Sequence, residues 1–120
     1  MVYLYIFIGG GLGSLARYIV TKFSHQFVST DFPIGTFISN IIACLLLSVL
    51  VVGFSSKQSE YAWIQPLLVI GFCGGFSTFS TFSNETFSLF DSGHIFLAII
   101  NILISVAVGI GLIFFIRSRA

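Results

Sequence analysis

Charged side chains are scarce in this sequence, and their scarcity narrows the class of protein. Lys, Arg, Asp and Glu together make up 8% of the 120 residues, against about 25% in an ordinary soluble domain. Hydrophobic residues account for 57% of the chain, and the mean hydropathy is +1.09. The net charge of +1 leaves neither a basic face for nucleic acid nor an acidic tail. These values exclude a soluble nucleic-acid-binding domain and indicate a protein built for the lipid bilayer.

Cysteine and histidine are also rare, and their spacing argues against two kinds of site. The two cysteines, Cys44 and Cys73, fall in separate apolar blocks without a Cys-x-x-Cys spacing or a nearby histidine. This pattern favours packed thiols over a disulfide or a metal site. His25 and His94 fall in different predicted loops, no acid–base pair has helical spacing, and the abundant serines lack a base partner. We therefore do not expect an enzyme.

Four apolar blocks occupy nearly the whole sequence. A spanning helix needs about 20 predominantly apolar residues, and we predict such helices at about residues 2–22, 33–54, 63–90 and 95–116. The first block is rich in glycine and carries Arg17 late, unlike a cleaved signal peptide, so we expect it to stay attached. The sequence thus predicts an all-α membrane protein in which residues 1–120 form a single four-helix transmembrane domain.

The few charges barely specify an orientation in the membrane. With four spans, both termini and the second loop share one side, which carries Lys57, Arg117 and Arg119, while Arg17 and Lys22 lie toward the other. The positive-inside rule needs a clear asymmetry, so we expect the chain to insert both ways. Two inverted copies can build a transport site at the bilayer midplane, and four short helices enclose little space. We predict an antiparallel dual-topology dimer with a pathway between its copies.

A glycine-rich segment, Gly-Gly-Gly-Leu-Gly-Ser-Leu-Ala at residues 9–16, lies in the first predicted helix. Its Gly11-x-Gly13-x-x-Ala16 pattern fits a dinucleotide-binding fingerprint only superficially, because that motif requires a βαβ unit. Small residues four apart instead favour close helix packing. Arg17 follows directly, and two interpretations of it stay open. It extends to lipid headgroups, or it raises the anion concentration in a vestibule at a pore mouth.

Two polar stripes run along the second and fourth predicted helices. Polar or small residues recur at every fourth position, which places each set along one helix face. The stripes consist of Thr36, Asn40, Cys44 and Ser48 in the second helix and Asn101, Ser105 and Gly109 in the fourth. Hydrogen bonding between packed helices accounts for such stripes. Asn40 suggests more, because an amide in hydrocarbon needs several partners and its two N–H groups could face an anion.

The third predicted helix contains a segment without any aliphatic residue, Gly-Gly-Phe-Ser-Thr-Phe-Ser-Thr-Phe-Ser at residues 74–83. Glycine disfavours helix by about 1 kcal/mol relative to Ala, and Ser and Thr compete for backbone hydrogen bonds, so we predict a break near the middle of this helix. Broken backbone at membrane depth is buried in protein or lines a cavity, which makes the carbonyls of residues 74–78 candidate cation ligands. Beyond the break, Phe79 and Phe82 share a face with Ser80 and Thr81 beside them, which suits a narrow anion path.

Three segments in combination resemble the Fluc (CrcB) family of bacterial fluoride channels. They are Gly-Gly-Gly-Leu-Gly-Ser-Leu-Ala-Arg-Tyr at 9–18, Gly-Thr-Phe-Ile-Ser-Asn at 35–40 and Gly-Phe-Cys-Gly-Gly-Phe-Ser-Thr-Phe-Ser-Thr-Phe-Ser at 71–83. The resemblance extends over the whole chain. It implies a dual-topology homodimer in the bacterial cell membrane with two antiparallel pores at the subunit interface. The implied function is passive efflux of fluoride from the cytoplasm, which confers fluoride resistance.

The resemblance also implies roles for particular residues. The paired pore phenylalanines, the pore asparagine and the polar track correspond to Phe79, Phe82, Asn40, Thr36, Ser80, Thr81 and Ser105. Gly74 and Ser77 match the residues at the helix break whose backbone carbonyls, two from each subunit, hold a central structural sodium ion. Gly109 stands one turn beyond Ser105, where related chains often carry another hydroxyl.

Other functions stay open at this point. A small dual-topology proton-coupled multidrug or cation antiporter is of similar size, but it needs a titratable carboxylate inside the membrane. The first two predicted helices contain none, and Glu85 lies toward the end of the third. A structural or regulatory subunit of a larger complex is a further alternative. Some members of the resembling family pair non-identical subunits, but this chain keeps Asn40 and both phenylalanines, so we expect self-assembly.

Overall fold

The computed structural model describes residues 1–120 as helices joined by short turns. Three of the spans are single α-helices, and the third span is built from three shorter pieces. The elements are α1 (Val2–Phe27), α2 (Ile34–Phe54), a π-helix (Gln65–Cys73), α3 (Gly74–Phe76), α4 (Phe79–Asp91) and α5 (Ile95–Ser118). Each span is long and apolar enough to cross a bilayer, since about 20 helical residues cover its hydrocarbon core of about 30 Å. The predicted all-α architecture with four spans is confirmed.

The helix ends differ from the predicted ones where local structure favours a different boundary. Helix α1 continues to Phe27, beyond the predicted end at Lys22, and the Ser24 hydroxyl donates to the Val20 carbonyl (2.8 Å) within the helix instead of interrupting it. The third span begins two residues later than predicted, with Pro66 in its first turn, where a missing N–H costs no hydrogen bond. Its first half is a π-helix, which no pattern in the sequence indicates.

Small residues let α1 and the first half of the third span touch backbone to backbone. Gly9 and Gly13 are buried, and a Cβ atom on either would overlap the carbonyl oxygen of Leu67 or Phe72. Two glycines four positions apart therefore form the contact face of α1. The close-packing interpretation of the glycine-rich segment is confirmed, and the chain contains no strand that could form a βαβ unit around it.

Helix α5 packs closely against α2. Gly109 is buried, and a Cβ atom at that position would lie 3.3 Å from Cys44 Sγ, which is tighter than an ordinary contact. A larger residue at position 109 would therefore require the Cys44 side chain to shift by a few tenths of an ångström. Gly93, with a φ of +88°, follows the end of α4 in the left-handed conformation that favours glycine and turns the chain into α5.

The core of the single chain is thin. Buried residues number 18 of 120, and several of them are polar. Many large apolar side chains along the spans are at least half exposed, for example Phe7, Ile70 and Phe114. In a bilayer, lipid tails or another protein surface cover such side chains. A single copy therefore presents a large apolar surface to its surroundings.

Candidate functional site

The third span is interrupted at Ser77 and Thr78, near its middle. Both residues have extended backbone, with φ/ψ of −84°/158° at Ser77 and −154°/125° at Thr78, between two helical segments. The predicted helix break is confirmed, but it follows the glycines instead of including them. Gly75 stays helical, and a side chain there would overlap the Gly10 carbonyl oxygen, so its small size serves packing against α1.

Asn40 replaces the backbone hydrogen bonds that Thr78 loses at the break. The Thr78 N–H donates to Asn40 Oδ1 (2.7 Å), and Asn40 Nδ2 donates to the Thr78 carbonyl (3.2 Å). The Thr78 side chain accepts in turn from the N–H of Thr81 (3.2 Å) and caps α4. One amide side chain on α2 thus fixes the start of α4, and its second N–H is not used by the chain.

Two backbone carbonyls at the break lose the donors that a continuous helix would give them. The N–H groups of Thr78 and Thr81, four residues after Gly74 and Ser77, donate to Asn40 Oδ1 and Thr78 Oγ1 instead, whereas the Cys73 carbonyl accepts from the N–H and the hydroxyl of Ser77 (3.0 and 2.8 Å). The neighbouring Gly75 carbonyl accepts from Arg17 Nε (3.1 Å), so Arg17 contacts the break from α1. Unpaired carbonyl oxygens at membrane depth need a partner, and hard cations take oxygen ligands.

A groove of about 280 Å³ opens beside the break, where α2, α4 and α5 meet. Many of the residues predicted for the site line it, and the full lining is Asn40, Cys44, Ser77, Thr78, Phe79, Phe82, Ser105 and Val106. The ring centroids of Phe79 and Phe82 lie 6.2 Å apart with a tilt of 40° between the rings. Phe79 is 80% exposed. Polar and aromatic groups that lie far apart in the sequence therefore meet in one open groove.

The other members of the predicted polar track lie outside the groove. Thr36 is buried, and its hydroxyl donates to Glu85 Oε1 on α4. Ser80 is exposed, with its hydroxyl oxygen 3.4 Å from that of Thr78. Thr81 is half-buried in the first turn of α4. The structure thus brings Asn40 and Ser105 together with the two phenylalanines but not with these three hydroxyls.

A hydrogen-bond relay links α5 to α4 beside the groove. The Ser105 hydroxyl donates to Asn101 Oδ1 (3.3 Å), Asn101 Nδ2 donates to Thr86 Oγ1 (2.9 Å), and the Thr86 hydroxyl donates to the Phe82 carbonyl (2.7 Å). Asn101 is 1% exposed and Thr86 is 6% exposed. The polar stripe of α5 includes Asn101, whereas no predicted pattern includes Thr86. Its position four residues after Phe82, on the same helix face, is the signal that could have found it.

A second polar cluster lies where the α1–α2 loop meets the α4–α5 turn. His94 Nε2 lies 3.3 Å from Asp31 Oδ2, and His94 Nδ1 lies 3.1 Å from the Ser92 hydroxyl. These residues line a pocket of about 220 Å³ together with others that include His25 and Glu85. No group of three or more His, Cys, Asp and Glu side chains is arranged to hold a metal ion. The pocket shares no lining residue with the groove.

Comparison with known protein families gives a match to one family over nearly the whole chain. The family described as CrcB-like protein, Camphor Resistance (CrcB), matches residues 4–116, a stretch that enters all four spans. The chain belongs to this family. The resemblance found in the three sequence segments is thereby confirmed, and the matched stretch of the CrcB family contains the helix break, the groove and the relay.

Three CrcB-family relatives carry the name fluoride-specific ion channel FluC. The one from Flavobacterium psychrophilum is 43% identical over 107 residues, which cover 88% of this chain and 86% of the relative. A relative from Coxiella burnetii is 45% identical over 105 residues, covering 87% of this chain and 85% of the relative. One from Pyrococcus horikoshii is 47% identical over 110 residues, covering 91% and 87%. Family membership and four apolar helices identify the chain as a multi-pass membrane protein.

Proposed function

We propose that this CrcB-family chain is a fluoride-selective channel that lowers cytoplasmic fluoride by passive efflux across the bacterial cell membrane. The observation that carries the proposal is the groove beside the helix break, in a chain whose relatives are named fluoride-specific ion channels. Amide, hydroxyl and aromatic groups line the groove, and no charged side chain does. Such a lining offers hydrogen bonds to an anion without the tight binding of a fixed positive charge, and a channel must release its ion.

The groove chemistry suits a small, strongly hydrated anion. Fluoride gives up water only where close donors replace it, and Asn40 has an N–H that the break does not use. Ser105 adds a hydroxyl, and the edges of the Phe79 and Phe82 rings carry partial positive charge. Closure of this open groove to a narrow path by a partner surface would leave the larger chloride ion poorly accommodated. A negative-inside potential supplies about 2.3 kcal/mol per charge per 100 mV, so the anion leaves without another energy source.

We propose that a second, inverted copy of the chain completes the pathway. Phe79 is 80% exposed at the edge of the groove inside a spanning segment, and a partner surface would cover it. The weak charge asymmetry of the loops permits both orientations. An antiparallel homodimer would contain the groove twice and would form two antiparallel pores at its interface. Labelling of cysteines introduced into the loops, from one side of the membrane, tests this arrangement, and a single orientation would overturn it.

We also propose that the carbonyls of Gly74 and Ser77 hold a structural sodium ion at the centre of this dimer. The helical donors of these two oxygens, the N–H groups of Thr78 and Thr81, bond elsewhere, and nothing lies within 4 Å of the position that a Gly74 side chain would take. Unwound carbonyls of broken transmembrane helices are sodium ligands in other proteins. Two carbonyls from each copy would supply four oxygen ligands, and the ion would join the copies at their breaks.

The remaining predicted residues extend the proposed path beyond the groove. Thr36 lies one turn from Asn40 on α2, and Ser80 and Thr81 lie in the first turn of α4. Arg17 uses only its Nε atom at the break, so its two terminal nitrogen atoms stay available to attract anions into a vestibule. We propose these four residues as the outer part of the polar track and its entrance.

The structure also bears on the competing functions. An antiporter would depend on Glu85, whose carboxylate accepts a hydrogen bond from Thr36 and lies at the pocket beyond the groove. An enzyme would need a nucleophile with a base beside it. The groove contains Ser and Cys side chains, but no histidine or carboxylate lines it. We therefore propose channel function without catalysis, and flux measurements separate the channel from the antiporter.

Fluoride efflux from proteoliposomes tests the proposed function and its site together. The parent should release fluoride, while Asn40→Ala and Phe79→Ile should each reduce the rate by about tenfold or more, the factor for about 1.4 kcal/mol. Phe87→Ile is the matched control, because Phe87 is also exposed on α4 but lies outside the groove, and it should conduct like the parent. Proton-coupled cation uptake without fluoride flux would favour the antiporter. Normal efflux in both groove variants would overturn the site assignment alone.

A further inference from the structure

The orientation of the Ser105 hydroxyl follows from residues that lie outside the groove. The Thr86 hydroxyl has one proton and donates it to the Phe82 carbonyl, which can only accept (2.7 Å). The Thr86 oxygen is therefore an acceptor, so the NH2 end of the Asn101 amide must face it (2.9 Å). The amide oxygen of Asn101 is left facing Ser105 at 3.3 Å. Ser105 is consequently the donor in this contact.

This orientation turns the proton of Ser105 away from an ion in the groove. Ser105 lines the groove. While its hydroxyl proton is donated to Asn101 Oδ1, the Ser105 oxygen can only accept a hydrogen bond from a ligand in the groove. An anion binds a hydroxyl through its proton. The Ser105 hydroxyl must therefore rotate away from Asn101 before it can donate to fluoride. The contact that must break is also the longest in the relay, at 3.3 Å, against about 2.7–2.8 Å for a typical O–H···O bond.

We propose that Asn101 and Thr86 are positioning residues that make Ser105 a switchable hydrogen-bond donor. Without an ion in the groove, the Ser105 hydroxyl donates to Asn101 Oδ1. When fluoride arrives, the hydroxyl turns to the ion and the Asn101 oxygen is released. Exchanging one hydrogen bond for another lowers the net affinity for fluoride, which favours release of the ion. This inference rests on the proposed fluoride path through the groove.

Fluoride flux measured over a range of fluoride concentrations tests the switch, because it separates the half-saturating concentration from the maximal rate. In Asn101→Leu the Ser105 proton loses its acceptor in the relay, whereas Thr86 keeps its bond to Phe82. The half-saturating concentration should fall about fivefold, the factor for one net hydrogen bond, and the maximal rate should fall because the ion leaves more slowly. In a Ser105→Ala background, Asn101→Leu should leave the half-saturating concentration unchanged.

Thr86 offers a gentler pair of variants with a built-in rescue. Thr86→Ser keeps the hydroxyl and should match the parent. Thr86→Val keeps the shape, removes the acceptor and frees the Asn101 amide to reverse, so the half-saturating concentration should fall by less than in Asn101→Leu. An unchanged value in both Asn101→Leu and Thr86→Val, or a shift that persists with Ser105→Ala, would overturn the switch and leave the proposed function standing. A parent without fluoride flux would overturn both.

Discussion

The two halves of the third span are held in opposite ways. The first half, which ends at Phe76, lies against α1 backbone to backbone, because Gly9 and Gly13 have no side chains to separate the helices. The second half, α4, is attached through individual side-chain hydrogen bonds from α2 and α5, including those of Asn40 and Asn101. Close-packed backbone leaves little room for adjustment, whereas single hydrogen bonds form and break one at a time. Rigidity therefore lies on one side of the break and exchangeable polar contacts lie on the groove side.

A methyl group on an α1 glycine should disrupt the contact between α1 and the first half of the third span. We expect the largest loss of stability from this change. In Gly9→Ala the added Cβ atom would overlap the Leu67 carbonyl oxygen, and relief requires α1 to move away from the third span. Overpacking of a close-packed interior costs about 1–3 kcal/mol, and we expect a value near the top of that range because the obstacle is backbone. The midpoint of thermal unfolding in detergent and the yield of folded protein should both fall.

Gly11→Ala is the matched control for this variant. It adds the same methyl group to the same helix, but nothing lies within 4 Å of the added Cβ atom. Alanine favours helix over glycine by about 1 kcal/mol, so the stability of Gly11→Ala should equal or exceed that of the parent. Equal unfolding midpoints for the Gly9 and Gly11 variants would contradict the backbone-to-backbone contact.

Asn40→Asp removes one of the two hydrogen bonds that attach the start of α4 to α2, while it keeps the shape of the side chain. The aspartate retains an oxygen for the Thr78 N–H but loses the N–H that reaches the Thr78 carbonyl. An unpaired carbonyl costs about 1–3 kcal/mol, and we expect the lower end because Thr78 is half-buried. The unfolding midpoint should therefore fall less than in Gly9→Ala. Fluoride efflux should fall by more than the loss of stability explains, because an ionised carboxylate would repel the anion.

Asn84→Asp provides the control for charge. Asn84 is exposed on α4 and does not line the groove, so the same substitution adds the same charge without touching the break. Its efflux and unfolding midpoint should match those of the parent. Loss of efflux in both variants would mean that an added negative charge is responsible whatever its position, and would contradict the specific role of Asn40.

Thr36→Val loosens α4 at a second point, with a smaller expected effect. The variant keeps the shape of Thr36 but removes the hydroxyl that donates to Glu85. Glu85 is half-buried beside a water-facing pocket, so water replaces much of the lost bond and the cost should stay near about 1 kcal/mol. A thermal melt checks the value, and Thr36→Ser should restore the parent midpoint. A serine variant as unstable as the valine variant would show that packing of the methyl group, not the hydrogen bond, matters at this position.

Periodicity in the sequence was sufficient to locate the spans and the faces of the groove. Lipid requires long apolar runs, so the four blocks predict four spans, although local bonds move a helix end such as that of α1 to Phe27. The spacing of polar residues put Asn40 and Ser105 on stripes, and the spacing of Phe79 and Phe82 put both rings on one face. All four residues meet in the groove.

The pairings between helices could not be predicted in this way. The bond of Asn40 to the Thr78 backbone depends on where the break lies against α2, and periodicity within one helix carries no such information. Thr86 reads as an ordinary helix residue until its neighbour Asn101 is known. The break itself was predicted from glycines together with Ser and Thr residues, and of these glycines Gly71 and Gly75 serve packing against α1. Fluoride and sodium came from the family resemblance alone, because no spacing of residues specifies an ion.

The weakest expected tie lies at the far end of α4, where its turn meets the α1–α2 loop. The Asp31 carboxylate lies 3.3 Å from His94 Nε2, and the Ser92 hydroxyl lies 3.1 Å from His94 Nδ1. His94 thus contacts the α1–α2 loop on one side of its ring and the end of α4 on the other. Both partners of the Asp31–His94 contact are partly open to solvent, so we expect it to stabilise the fold only weakly.

Asp31→Ala tests this tie through thermal melts, because alanine removes both carboxylate oxygens. Asp31 and His94 are 70% and 42% exposed in their side chains, so the loss of stability should stay below about 1 kcal/mol. His25 and Glu85 share the pocket and stay unchanged in the variant. Asp91→Ala removes an exposed carboxylate outside this pair and should not lower the unfolding midpoint. A loss in Asp91→Ala as large as in Asp31→Ala would contradict a specific contact between Asp31 and His94, because removal of any exposed carboxylate near this turn would then have the same effect.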